Sequence, residues 1–196
     1  MLGSIALGMP GRHNVSNAVA AAATSIELSI PFSAVKQALD GFTGVQRRFT
    51  VVGEVGGVTI IDDYGHHPVE IAATLEACEQ AWPARRVVAV FQPHRFSRVE
   101  HLWDDFCGAF NRAAEVVVCP IYAAGERPIT GVDHGRLADA MRHRGHRATR
   151  SMDSLEDAVS YLTETLSAGD VVITLGAGNV DRVCHELLSH LGQAEA

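Results

Sequence analysis

Apolar positions along the chain follow two different rhythms, and the change comes near residue 49. Before it, residues 1–9 predict a short strand or extended piece, broken by Gly8, Pro10 and Gly11. Residues 17–28 are rich in alanine, which has the best intrinsic helix propensity and allows close packing, so they predict a helix that Asn14 can cap. Pro31 stops that helix or starts the next, and residues 33–39 predict a second short helix ended by Gly41. Two short helices and one strand remove too little apolar area from water to offset the entropy of ordering them. Residues 1–46 are therefore expected to be helical, loosely attached, and a severed part of a larger domain.

After residue 49 short β-branched runs alternate with helical stripes. Residues 49–54 and 58–62, set around Gly53, Gly56 and Gly57, predict a hairpin or a strand after a bulge. Pro68 suits the first turn of a helix, and Ile71, Leu75, Cys78 and Trp82 continue it at three- and four-residue spacing. Residues 87–91, 116–119 and 171–175 are continuous apolar strands. Helices are marked by Val99, Leu102, Phe106 and Phe110, by Leu137 and Met141, by Leu155, Val159, Leu162 and Leu166, and by residues 180–191. Strands of four or five apolar residues between helices predict a mostly parallel sheet covered on both faces.

Composition narrows the picture. The 196 residues are 47% hydrophobic and 20% charged, enough for a core, which excludes global disorder. No apolar run reaches the roughly 18 residues of a membrane helix, and the apolar start has no basic region before it, so a cytoplasmic protein without a membrane partner is expected. A net charge of −7 argues against non-specific nucleic-acid binding as the main task. Cys78, Cys107, Cys119 and Cys184 are widely spaced with no CxxC, which reads as free thiols in a reducing compartment rather than a metal site.

Candidate chemistry lies in three loops, each after a strand, where open α/β sheets bind ligands. In Asp62-Asp63-Tyr64-Gly65-His66-His67-Pro68, Asp63 could bind a ribose or a metal-bound water, and His66 or His67 could orient a polar substrate. The bland alternative has the aspartates capping a helix and the histidines in solvent; adjacent histidines point apart and make a poor metal site. In Phe91-Gln92-Pro93-His94-Arg95-Phe96-Ser97-Arg98, two arginines three apart suit a carboxylate or phosphate, although a helix start is electrostatically the wrong end for cations. Leu175-Gly176-Ala177-Gly178-Asn179 looks like a dinucleotide loop but lacks the third glycine, so a tight turn and a ligand contact stay equally open. Residues 124–126 and 131–133 are ordinary loop signals. No GxxxxGK[ST] phosphate loop occurs.

Taken with Gly11-Arg12-His13-Asn14-Val15-Ser16-Asn17 and Gly44-Val45-Gln46-Arg47-Arg48-Phe49, these loops make the chain resemble the C-terminal part of the Mur ligases. These are the ATP-dependent amino-acid-adding enzymes of peptidoglycan synthesis, and the closest resemblance is to the type that joins L-alanine to UDP-N-acetylmuramate. A sister type that recycles a tripeptide onto the same sugar nucleotide shares much of the pattern. A non-catalytic Rossmann-like binding module is the alternative from another class.

The resemblance implies an α/β fold: a Rossmann-like C-terminal domain with helices on both faces of a mostly parallel sheet, preceded by a short helical remnant of the central ATPase domain. It places residues 1–47 at the end of the central ATP-binding domain and residues 48–196 in the amino-acid-binding domain. It implies that His66, Arg95 and Arg98 receive L-alanine, with Tyr64 lining the reaction centre. Asp63 would lie by the ATP ribose, His13, Asn14 and Asn17 by the adenine, and Arg47 or Arg48 would reach the nucleotide. The N-terminal domain would bind the UDP-sugar and the central domain would carry the phosphate loop and the magnesium ligands, so ATP and magnesium would be held mostly outside this chain; no metal is assigned to it, and the chain alone is expected to be inactive.

Overall fold

The computed structural model describes residues 2–194. The expected extended piece at residues 1–9 pairs with no sheet; Met1 lies outside the described residues, and the rest is tied down where Asp40 accepts a hydrogen bond from the Ala6 N–H at 2.8 Å. Helix α1 (Arg12–Glu27) starts at Gly11 and not at Asn14. Gly11 takes a φ of 100°, open to glycine without steric cost, and this turns the chain into the helix early. Asn14 then sits in the first turn and donates its side-chain amide to the Pro10 carbonyl at 2.6 Å. Pro31 caps α2 (Phe32–Asp40), its fixed φ suiting a helix entrance. α1 buries no residue and α2 buries only Val35, as the weak patterning before residue 49 leads one to expect.

β1 (Thr50–Val55) and β2 (Val58–Asp63) form an antiparallel hairpin with a bulge between Val51 and Gly53. Gly56 and Gly57 close it with φ of 59° and 72°, the left-handed pair that a two-residue hairpin turn requires. The chain continues through α3 (Pro68–Ala81), β3 (Val87–Phe91), α4 (Phe96–His101), α5 (Trp103–Ala109) and β4 (Glu115–Val118). It ends with α6 (His134–His143), β5 (Thr149–Ser151), α7 (Leu155–Thr165), β6 (Val171–Leu175) and α8 (Asp181–Ala194). Two elements depart from the sequence reading. The helix expected through Val99 and Phe110 is two helices that meet at Leu102, which closes one and opens the other. Strand β5 was not expected, because it is a polar edge strand with only Thr149 buried and carries no apolar run.

The sheet order is β1-β2-β6-β3-β4-β5, and every pairing except β1–β2 is parallel. Alternate strand residues face opposite sides, so two cores form. One holds Ile61, Ala89, Phe91, Val116 and Ile173 with side chains of α3, α4, α5 and α6. The other holds Ile60, Val88, Val90, Val117 and Val172 with α7 and α8. The chain changes face on its way to β6, which inserts between β2 and β3. Loops after β2 and β3 therefore leave towards one face and the loop after β6 towards the other, opening a crevice at their shared rim.

Candidate active site

Asp62 and Asp63 end β2, and both are buried. Asp62 accepts hydrogen bonds from Arg47 Nε at 2.9 Å and Thr174 Oγ1 at 2.7 Å. Asp63 accepts from the N–H groups of Gly65 at 2.7 Å and Phe49 at 2.8 Å. Burial pushes the Asp63 carboxyl above the usual carboxylate range, against the pull of those two donors and of Arg48. Neither aspartate caps α3. Glu70 does so from inside the helix, its Oε2 accepting from the His66 and His67 N–H groups, both at 3.1 Å. Burial alone would raise the Glu70 pKa, but these donors together with His66 and Arg48 outweigh it and hold the carboxyl below its ordinary value.

His66 brings the loop to the rim. Its Nδ1 lies 2.9 Å from the Tyr64 carbonyl, and its ring meets Tyr64 edge-on at 5.4 Å and His94 at 5.7 Å between centroids. His94, from the loop after β3, stacks on Tyr122 from the loop after β4, 5.4 Å away. Arg98 donates to both Nδ1 and the carbonyl of His94 at 3.3 Å. Burial lowers the His94 pKa, and the neighbouring Arg98, His66 and Arg95 push it the same way, with Glu126 opposing, which favours the neutral ring.

Arg95 begins α4 at φ 72°, a region that costs a non-glycine residue about 1–3 kcal/mol and persists only where the surroundings enforce it. Here its N–H donates to the Tyr122 carbonyl at 2.9 Å, and its guanidinium lies 3.9 Å from Glu126. Glu126 supplies the negative charge that this helix start needs and removes the conflict visible in the sequence. The structure thus brings Tyr64, His66, His94, Arg98 and Arg95 to one rim.

Arg47 and Arg48 part company. Arg47 is half-buried, paired with Asp62, and donates to the carbonyls of Gly176 at 2.9 Å and Gly178 at 3.0 Å. The loop after β6 is also bound by Gln92, which donates to Asn179 Oδ1 at 2.9 Å and accepts the Asn179 N–H at 3.0 Å. A Cβ on Gly178 would run into the Gln92 amide and into the Tyr122 ring at 2.7 Å. The glycines of this loop thus answer to close packing, and the structure describes it as a tight turn. Arg48 is exposed and, with Arg47, lies over the Tyr64 ring, 5.5 Å and 5.2 Å from its centroid.

A cleft of about 700 Å³ lies between α1, α2 and the start of α3. His13, Asn14, Asn17, Arg48 and Asp63, together with Glu70 and Thr74, supply its polar groups, and Phe42, Val45 and Val69 its exposed apolar wall. A few polar groups set in an apolar hollow suit a planar heterocycle with a polar attachment. His94, Tyr122 and Glu126 had no assigned role in the sequence reading. A position after a strand is all that the sequence holds for Tyr122 and Glu126, because their contacts with His94 and Ser97 come from long-range packing.

Among the described residues, no helix is long and apolar enough to cross a membrane. The Mur ligase, glutamate ligase domain matches residues 47–178. The chain is 53% identical over 188 residues, 96% of its length, to a UDP-N-acetylmuramate–L-alanine ligase of Desulfosudis oleivorans, of which it covers 41%. It superposes on a UDP-N-acetylmuramate–alanine ligase of Thermotoga maritima with a TM-score of 0.80 at 27% identity, covering 98% of this chain and 40% of that one. The same fold recurs in a murein peptide ligase of Psychrobacter arcticus, with a TM-score of 0.71 at 23% identity over 96% of this chain and 38% of that one. The chain spans about two fifths of the length of the curated relatives it matches, and with two thirds of its own residues matched by the domain it belongs to the Mur ligase family.

Proposed function

We propose that this chain supplies the amino-acid-binding domain, and part of the nucleotide site, of a cytoplasmic ATP-dependent ligase that joins L-alanine to UDP-N-acetylmuramate in peptidoglycan precursor synthesis. Residues 1–47 close the central ATP-binding domain, and residues 48–196 form the C-terminal domain; Met1, Glu195 and Ala196 lie outside the described residues. The observation that carries this reading is that consecutive residues of one loop serve two places. Asp63 lines the cleft with His13, Asn14, Asn17 and Arg48, while Tyr64 and His66 open onto the rim of His94, Arg95 and Arg98. A nucleotide and an acceptor amino acid held there lie on either side of a single turn of chain.

The size and polarity of the cleft fit an adenosine group, with Asn14, Asn17 and His13 towards the base, Asp63 towards the ribose and Arg48 at the polar edge. When bound, ATP supplies the phosphoryl group that activates the sugar nucleotide's carboxylate. We assign no residue of this chain to magnesium, which the central domain would hold with the ATP phosphates. This chain's own task is positioning. Arg95 and Arg98 hold the amino acid's carboxylate with charge-assisted hydrogen bonds, leaving its amine free, and Tyr64 and His66 shape the side where the new bond forms.

The test replaces the matching segment of the Desulfosudis oleivorans relative with this chain. Phosphate release is then measured with UDP-N-acetylmuramate, ATP and either L-alanine, glycine, L-serine or the L-alanyl-γ-D-glutamyl-diaminopimelate tripeptide. L-alanine is expected to be preferred; preference for the tripeptide would reassign the chain to the recycling ligases. The curated relatives at 46–53% identity carry the L-alanine name, which favours the first reading.

A further inference from the structure

The two histidines of the rim are held as opposite tautomers. His66 Nδ1 faces the Tyr64 carbonyl at 2.9 Å and Glu70 Oε2 at 3.7 Å. Both are acceptors, so Nδ1 carries the ring proton, and in the neutral ring Nε2 keeps its lone pair. His94 is the reverse. Its Nδ1 faces Arg98 Nη1, which only donates, so the neutral ring carries its proton on Nε2. Among the described residues neither Nε2 has a side-chain or backbone partner, and no buried side-chain nitrogen or oxygen lacks one. Both Nε2 atoms therefore open to solvent at the rim. The two rings, tilted at 52° with centroids 5.7 Å apart, offer one lone pair and one N–H.

An α-amino acid presents the complement: an ammonium that donates, and a carboxylate that accepts, one carbon apart. We infer that His66 Nε2 is the proton acceptor for the ammonium of the incoming amino acid, while His94 Nε2–H joins Arg95 and Arg98 on its carboxylate. This rests on the ligase reading above and assigns an atom to each end of the acceptor. An α-ammonium cannot attack a carbonyl carbon until it has lost a proton. In the transfer one N–H bond breaks and an Nε2–H bond forms, and that proton passes from His66 to water. The electron pair left on nitrogen makes the C–N bond to the phosphorylated carboxylate, the C–O bond to phosphate breaks, phosphate leaves with that bond's electron pair, and the amine's second proton is lost to water.

The surroundings support this direction of transfer. The imidazolium formed on His66 keeps Nδ1–H on the Tyr64 carbonyl and faces the Glu70 carboxylate from α3. His94, the other charged-form candidate, is hemmed in by Arg98, Arg95 and His66, with only Glu126 in opposition, and is the poorer base. Arg47 and Arg48 lie across the Tyr64 ring, and Asp62, Asp63 and His67 are the other ionisable groups of the loop.

Two measurements decide it. Long-range ¹H–¹⁵N spectra of the 196-residue chain at pH 8 are expected to show His66 protonated on Nδ1 and bare on Nε2. The opposite tautomer overturns the inference whether or not the chain serves a ligase. In the hybrid enzyme, His66→Asn keeps an N–H donor for the Tyr64 carbonyl and removes only the Nε2 end. Its kcat/KM for L-alanine is expected to fall at least about a hundredfold at pH 7, within the usual reach of a general base. That deficit should shrink about tenfold per pH unit up to pH 9, as free amine becomes available without a base. A deficit constant with pH would make His66 structural and sink the proposal. A wild-type hybrid that releases no phosphate with L-alanine would instead count against the ligase reading, and the tautomer measurement would still stand.

Discussion

Glu126 grips Ser97 twice, its two carboxylate oxygens accepting the Ser97 N–H at 3.0 Å and the Ser97 hydroxyl at 2.7 Å. One side chain from the loop after β4 thus caps α4 and faces the Arg95 guanidinium. These donors hold the Glu126 carboxyl below the usual carboxylate range. Glu126→Ala should lower the melting temperature through the lost cap. In the hybrid enzyme it should cost up to about a hundredfold in kcat/KM for L-alanine, because Arg95 loses the partner that sets its direction. Unchanged kinetics would show that Arg95 is placed by its backbone alone. Since the carboxyl titrates below its ordinary value, its contribution is present above the unfolded pKa and is lost as the pH falls through the folded one.

His94 gives a second pH dependence with a defined sign. Its pKa is lowered from 6.5 in the folded chain, first by burial and then by Arg98 and its other cationic neighbours. Between the folded value and 6.5 the unfolded chain binds more protons than the folded one, so stability declines as the pH drops through that window. His94→Gln removes this part of the slope. Urea midpoints of wild type and variant at pH 7.5, 6.5 and 5.5 should converge as the pH falls. Parallel curves would mean that His94 titrates normally.

Gly178→Ala tests whether the loop after β6 is a packed turn. The added methyl meets the Gln92 amide and the Tyr122 ring, and overpacking of this kind typically costs about 1–3 kcal/mol. Gly125→Ala is not an equivalent control, since Gly125 has a φ of 84° and is strained whatever the space around it. Gly108, on α5, has nothing within 4 Å of an added Cβ, and Gly108→Ala should leave stability unchanged or raised. A denaturation midpoint for Gly178→Ala equal to wild type would mean that the loop has room to move.

The buried strands were legible in the sequence because a parallel strand covered on both faces must be apolar at every position, as residues 87–91 and 171–175 are. β5 was not, since an edge strand with one buried residue leaves no such run. The rim was legible wherever charged or aromatic residues crowd a strand end, which singled out residues 62–68 and 91–98. It was not legible for Glu126, whose role depends on α4 arriving next to it from 29 residues away. Nor could sequence separate Arg47 from Arg48. Only the φ of 59° at Arg47 and the approach of the loop after β6 turn the first inward.

That separation supplies the last prediction. Arg47 pairs with Asp62, a carboxylate that is only 4% exposed, and also satisfies two carbonyls of the loop after β6. Truncating one partner of a buried pair leaves the other charged and unpaired, typically at about 3–5 kcal/mol. Thr174 still donates to Asp62, so Arg47→Ala is expected near the lower end of that range. Arg48 is exposed, and its contact with Glu70 is a 3.5 Å surface pair worth little. Arg48→Ala should therefore stay within about 0.5 kcal/mol of wild type. Nucleotide binding should divide the other way. Arg48 lines the cleft beside Asp63, so Arg48→Ala should weaken ADP binding by the hybrid enzyme, measured by calorimetry, while its fold stays intact. Arg47→Ala should act through stability first, and adding ADP should raise its melting temperature as much as it raises that of wild type. A stable Arg47→Ala protein that had lost ADP binding would reverse the two roles and put Arg47 in the nucleotide site.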